Sequence, residues 1–285
     1  MWALWYKAWR DVRWQLLASI ALVFAFFWIR VWITSLFPLQ QFRRLLQFIP
    51  DAFMPLLPVS IEQVATVAGR LAIAFDDPLP LMVMLAWGIG RGSDVVAGEL
   101  GRGTLEMLLA QPVRRISIIG TQVIVTLVGA ALIAAATLSG TAMGIQTVKL
   151  EETVSPSVFL SAAVSVFAMT VFLAGATTLV SSFDRFRART IGVMAGLFAV
   201  SLLLKVVGLV GPDHKWLLHF SFLTAYEPQW LVANADLAWK FTAPDGKGSW
   251  VWGGLSQHAV LLGLGGLGYL LAIWHFCRRD MPAPL

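Results

Sequence analysis

Charge is scarce in this 285-residue chain: 13% of residues are Asp, Glu, Lys or Arg, whereas 58% are apolar. Soluble domains of this size carry about 25% charged and about 45–50% apolar residues, which excludes a soluble enzyme. Cysteine is nearly missing too. The single Cys277 leaves neither a disulfide framework nor a cysteine-based metal site. His214, His219 and His258 fit no common ligand spacing, so no metal site is expected. No GxxxxGK[ST] loop occurs anywhere, so the chain has no means of cradling ATP and is not expected to be an enzyme with catalytic residues of its own. The run Gly263-Leu-Gly265-Gly266-Leu-Gly268 matches GxGxxG as a bare pattern. It lies inside an apolar stretch with no strand before it, and reads instead as a surface for close helix packing. Gly140 and Gly144 read the same way.

What is present is apolar length. A helix needs about 20 mostly apolar residues to cross the hydrocarbon. Six stretches qualify: about 15–36, 78–97, 115–146, 156–181, 190–211 and 252–276. The sequence predicts an all-α integral membrane protein, a single transmembrane domain over 1–285. Stretch 115–146 is longer than one span needs and must tilt, bend or project. The second span is apolar from Leu79 to Ile89 and then polar through Gly90, Arg91, Gly92 and Asp94.

Six spans put both termini on one side. With that side cytoplasmic, the inner segments hold 12 of the 21 basic residues, among them Lys7, Arg10, Arg102, Arg114, Arg187 and Arg278, and the outer segments hold seven. The excess falls on short loops, where the positive-inside rule has force, and predicts N-in, C-in. Arg30 and Lys205 lie near outer span ends, where they can snorkel to headgroups. The basic excess reads as topology and not as nucleic-acid binding. No cleavable signal peptide is apparent. The chain opens with Trp2, Trp5, Tyr6 and Trp9, a helical stripe with Lys7, Arg10 and Arg13 on other faces. Residues 1–14 therefore read as an amphipathic interfacial helix anchoring the first span in the lipid bilayer.

Outer segments 37–77 and 212–252 follow spans one and five. In 39–49, Leu39, Phe42, Leu46 and Ile49 recur at helical spacing. Ser60 with Gln63 makes a capping box for a helix with Val64, Val67, Leu71 and Phe75 inward, ended by Asp76, Asp77 and Pro78. Segment 212–252 carries nine aromatic residues, including Trp216, Phe220, Tyr226, Trp230 and Trp239. They read as an interfacial belt around short or re-entrant helices. A docking surface for a lipophilic cargo or an outer partner is the alternative.

The spans lack the mid-depth carboxylates or histidines that an ion-coupled transporter requires. Their hydroxyls, such as Thr126, Thr137, Thr170 and Thr177, can bond the backbone and need no transport role. Arg91 and Asp94 are the exception: three residues apart on a helix, they share a face and can pair. An intramembrane polar pair is either a functional site or a structural contact. Any uphill movement must be driven by a partner.

One loop is specific. Residues 94–115 run through Asp94, Gly98-Glu99, Gly101-Arg102-Gly103-Thr104-Leu105-Glu106, Leu108-Leu109, Gln111-Pro112 and Arg114-Arg115. The glycines break the preceding helix, Thr104 can cap a new one, Glu106 suits its first turn and Pro112 stops it. Leu105, Leu108 and Leu109 make one apolar face, leaving Glu106 and Gln111 to the cytoplasm. Two turns are too short to be stable alone, so the helix must rest on the span ends with its other face free.

In residues 94–116 the sequence resembles the ABC-2 type permeases, membrane subunits of ATP-binding-cassette exporters. The six-span plan with sizeable outer segments fits that family over the whole chain. The resemblance implies a coupling helix in this loop, seated in a groove of a separate ATPase subunit. Glu99, Gly103, Thr104, Leu105, Glu106, Leu108, Leu109, Pro112 and Arg114 take the matching places, flanked by Gly98, Arg102 and Arg115. It further implies two cytosolic ATPase chains carrying ATP and Mg, a second permease chain forming a homodimer, a bacterial cell membrane, and export of cargo. Two other readings stay open: a mechanical transmitter acting on an outer or periplasmic protein without cargo crossing, and a stand-alone membrane enzyme.

Overall fold

A computed structural model describes residues 2–46, 48, 50, 56, 59–104, 107, 110, 114–235, 238, 239 and 255–278. The described residues are almost entirely helical, and six helices are long and apolar enough to cross a membrane: Trp2–Leu36, Pro78–Gly101, Arg115–Thr147, Pro156–Phe183, Arg187–Val210 and Gln257–Arg278. Each overlaps one of the six stretches expected from hydropathy.

In chain order the elements are α1 (Trp2–Leu36), α2 (Leu39–Leu46), α3 (Ile61–Val64), α4 (Val67–Ile73) and α5 (Pro78–Ser93). After the loop come α6 (Arg115–Thr147), α7 (Leu160–Phe183), α8 (Arg187–Val210), α9 (Pro228–Ala233) and α10 (Gln257–Arg278). The long helices alternate in direction. One end of the bundle, the loop end, carries both described chain ends, residues 94–104 and Arg114. The opposite, capped end carries α2–α4 and the segment after α8.

Residues 2–14 and 15–36, read from sequence as an interfacial helix and a span, form one unbroken helix. At 1.5 Å per residue its 35 residues reach about 52 Å, well beyond a hydrocarbon core of about 30 Å. Ala8 and Val12 on its first turns are buried, so this overhang packs on the loop end. The expected single helix over 60–75 is two. The capping box of Ser60 and Gln63 is present at α3, but Thr66 starts α4 by accepting from the Gly69 N–H. The Glu152 carboxylate accepts from the Val67 N–H at 3.2 Å. A side-chain oxygen on each of two exposed amides makes a new N-terminus more favourable than a continued ladder.

Glycines set how the long helices meet. A Cβ on Gly268 would stand 2.7 Å from the carbonyl carbon of Gly175, and one on Gly265 would lie 2.9 Å from the backbone of Phe172. α10 therefore lies backbone to backbone on α7. Gly144 meets Val31, and Gly140 meets Phe24 and Phe27, which brings α6 onto α1. Gly88 and Gly92 admit Leu173 and Thr177 of α7 to α5. Gly263 and Gly266 face open space, so only half of the glycine run on α10 is packing surface. Trp87, fully buried, covers Gly129 and donates from its indole to the Thr126 carbonyl at 3.1 Å. Thr126, Thr137 and Thr170 donate to carbonyls of their own helix at 2.7 Å, the back-bonding their positions suggested.

At the capped end the segment after α8 turns back on the bundle. Phe222 sits 4.8 Å from Phe172, and the Tyr226 hydroxyl donates to the Phe75 carbonyl at 2.8 Å. Trp230 is buried, whereas Trp216, Phe220 and Trp239 are exposed. The aromatics thus divide between a plug and a belt. Lys205 does not snorkel outward. Its ammonium donates to the carbonyls of Leu223 at 2.8 Å and Tyr226 at 3.2 Å and lies 3.8 Å from Glu227, because the returning segment supplies acceptors nearer than the headgroups. Arg30 likewise meets Asp77 at 3.3 Å.

Candidate functional site

The charged residues of the loop end converge on the junction between span two and the specific loop. α5 does not end at Ser93. It widens into a π turn over Asp94–Gly98 and closes with one α turn, Glu99–Gly101. Ser181 of α7 supports the widening: its hydroxyl donates to the Ser93 carbonyl at 3.2 Å and accepts from the Ala97 N–H at 2.9 Å. Such turns place a side chain where a regular helix would not, and they recur at functional sites. Gly103, with φ of 69°, then ends the segment in the left-handed conformation that glycine adopts without steric cost.

Two carboxylates organise the junction. Asp94 lies 3.6 Å from Arg91, 2.7 Å from Arg102 and 3.5 Å from Arg187 of α8. Arg187 also donates to the Gly90 carbonyl at 3.3 Å. Arg91, nearly buried, donates to Gln122 of α6. Glu99 is 2% exposed and accepts from Lys7 of α1 through both oxygens, at 2.9 and 2.8 Å. Arg102 reaches its other side at 3.3 Å, and the Thr104 hydroxyl also bonds it. The Asp94 carboxylate beside Arg102 makes that guanidinium hold its proton more tightly than usual. A Cβ on Gly98 would collide with Asp94, so the small residue keeps room for the cluster.

The expected Arg91–Asp94 pair is thus one edge of a larger network. Gly98, Glu99, Arg102, Gly103 and Thr104 stand together in it. Arg114 caps the start of α6 in extended conformation, and Arg115 opens that helix. Leu105, Glu106, Leu108, Leu109 and Pro112, the centre of the expected coupling helix, lie outside the described residues. Sequence reasoning missed Lys7 and Arg187, which it counted only as topology charges. Their separations from Glu99 and Asp94 in the chain carry no periodic signal.

A second polar cluster lies at the capped end. Asp76, Lys205, Tyr226, Glu227 and Gln229 line a cavity of about 180 Å³, and Gln229 donates to Asp76 at 2.9 Å. Burial pushes the Asp76 carboxyl up to about 7, with Glu227 and Asp77 adding to the rise and Lys205 and Gln229 opposing it. The folded chain therefore holds this proton more tightly than the unfolded chain. Its contribution is largest at low pH, declines as pH rises from the ordinary carboxylate range to about 7, and is then fully lost. Melting temperature is expected to fall between about pH 4 and about pH 7, and Asp76→Asn to flatten that slope. An unchanged slope in the variant would assign it to other groups.

The histidines do not converge. His258 bonds the Ser161 carbonyl at 3.1 Å, His219 faces the Trp216 carbonyl, and no group of three metal-ligating side chains occurs among the described residues.

Six apolar helices, with a charged junction that ties three of them to one loop, define a multi-pass membrane protein. Residues 79–229 match the family model of the ABC-2 family transporter proteins, more than half of the chain, and the chain belongs to that family. The match runs from α5 through the junction and the loop to α9. It makes the chain a membrane permease of an ABC-type system. No curated protein matches the chain.

Proposed function

We propose that this permease is the path-forming half of an ATP-driven exporter, working as two copies with two separate ATPase chains that hold ATP and Mg. The loop end, with both termini, then faces the cytoplasm of a bacterial cell. The supporting observation is the junction itself, in which Glu99 and Asp94 tie the loop to α1 and α8 as well as to α5. A push on residues 98–115 by closing ATPases would reach three spans at once through short ionic contacts.

Between α5 and α8 lies an apolar groove of about 370 Å³, walled by Leu85, Ile89, Ile191, Ala195 and Phe198. In this reading it is one wall of the path, and its lining suits an amphiphilic cargo. α1 and α8 keep broad apolar faces, with Leu17, Trp28, Leu197 and Leu203 exposed, which suit lipid or the second copy.

Glu106→Arg tests the coupling role. Membrane insertion is expected to persist, while ATPase retained through mild-detergent purification falls at least about tenfold, the scale of reversing one interfacial charge. Mass spectrometry of the wild-type preparation identifies the ATPase. Unchanged association and turnover in the variant would remove the role.

One observation favours the mechanical reading as a second. Lys205 of α8 and Tyr226 hold the capped-end segment to the bundle, so movement of α8 would also reach the far surface. Cargo-stimulated ATP hydrolysis separates the two readings: transport requires it, and force transmission to an outer protein does not.

A further inference from the structure

The far end of α1 and the short helix α4 enclose a cavity of about 250 Å³. Ile33 and Phe37 of α1's end region, Phe42 of α2 and Ile73 of α4 make its apolar wall, and Arg30 and Arg70 are its two charged residues. Among the described residues no carboxylate lines it. The cavity sits where a membrane-spanning helix ends, the depth at which lipid headgroups lie.

Arg70 is the unusual group. It is 6% exposed, and a guanidinium at such burial normally has a carboxylate partner, because desolvating an isolated charge is costly. Here its Nη1 donates to the carbonyls of Phe37 at 2.7 Å and Thr34 at 3.5 Å, and its face lies over Phe42 at 5.5 Å. Its Nε–H has no acceptor. Glu151 and Glu152 act on it only across space. Each accepts from a helix-start amide instead, Glu151 from Leu39 at 2.9 Å and Glu152 from Val67 at 3.2 Å. Arg30 meets Asp77 through one nitrogen, at 3.3 Å. The cavity therefore combines a buried guanidinium with no directly bonded carboxylate among the described residues, a second guanidinium, and an apolar wall.

We propose that this cavity binds the phosphate of an anionic membrane lipid, with Arg70 and Arg30 on the phosphate and the Ile33–Phe37 wall against the start of the acyl chain. Guanidinium groups suit phosphate because they offer several N–H donors in one plane, and such charge-assisted bonds are about twice as strong as neutral ones. The occupied site would pin α4 to the end of α1, so bound lipid would report on the packing of the capped end. This assignment is independent of the transport reading.

The test uses the full chain in detergent, titrated with phosphatidylglycerol, with phosphatidylcholine, and with inorganic phosphate. Native mass spectrometry counts bound molecules, and thermal stabilisation is the second readout. The wild-type chain is expected to retain one phosphatidylglycerol at least about tenfold more tightly than phosphatidylcholine, in excess inorganic phosphate. Arg70→Gln is expected to lose that preference. Because Arg70 also anchors the Phe37 carbonyl, two further variants leave it in place: Arg30→Gln removes the second charge, and Ile33→Trp fills the cavity. Both are expected to weaken phosphatidylglycerol retention at least several-fold. Equal retention of the two lipids overturns the proposal, as does wild-type retention in both Arg30→Gln and Ile33→Trp. Binding of inorganic phosphate without retained phosphatidylglycerol also overturns it, in favour of a free-anion site.

Discussion

Gly175→Leu is expected to leave almost no correctly assembled protein, whereas Gly266→Leu is expected to be tolerated. The two substitutions add the same side chain to facing helices of one bundle. At Gly175 a Cβ would collide with the backbone of Gly265, and the reciprocal Cβ on Gly268 would stand 2.7 Å from the Gly175 carbonyl carbon. Backbone cannot swing aside as a side chain does, so α7 and α10 would have to separate along their length. Ordinary overpacking costs about 1–3 kcal/mol. Parting two helices held by close van der Waals packing, in a lipid that supplies no hydrophobic force between them, costs more than that range. Gly266 faces open space. Fluorescence-detected size-exclusion of the two variants reads the difference as loss or retention of a monodisperse peak. A monodisperse Gly175→Leu protein with wild-type melting would mean that the two helices do not approach as closely as described.

Glu99→Gln carries the second large effect. Glu99 is almost fully buried and compensates Lys7 and Arg102. Removing its charge leaves Lys7 without its carboxylate and Arg102 with Asp94 alone; because both cations are part-exposed, the cost falls below the about 3–5 kcal/mol of a fully buried pair. The junction, and not the whole bundle, should absorb most of that cost. Coupled ATPase turnover is expected to fall at least about tenfold, while the spans stay inserted. Lys7→Met should reproduce part of the loss, and the double variant should be no worse than Glu99→Gln alone, because the two act as one contact. A double-mutant cycle measures this directly: an interaction of at least about 1 kcal/mol is expected. Additive losses would mean that Lys7 and Glu99 serve separate purposes.

The sequence revealed the spans because apolar length is a one-dimensional property. It revealed the Arg91–Asp94 pair because three residues along a helix is a local relation. The same locality limited it. Lys7 and Arg187 belong to other helices, and only the packing of α1 and α8 brings them to Glu99 and Asp94. Lys205 shows the point from the opposite side. A lysine near a helix end predicts snorkelling, yet the acceptors that turn it inward come from the returning segment 212–226. The glycine run in α10 promised a packing face, but which two of its four glycines touch α7 depends on how that helix is rotated. Thr66 divides α3 from α4 with the help of Glu152, a residue too remote for any local capping rule to include.

The widened turn at Asp94–Gly98 affects how this chain can be compared with its relatives. A π turn accommodates one residue more than the regular helix around it. The α turn after it, Glu99–Gly101, is therefore rotated by about 100° relative to an uninterrupted α-helix. A relative lacking the widening would present the residues of that turn on a different side of the helix. Aligned without a gap at this point, the two sequences would equate residues that stand on different sides of this helix. A single-residue gap placed between Asp94 and Gly98 restores the correspondence.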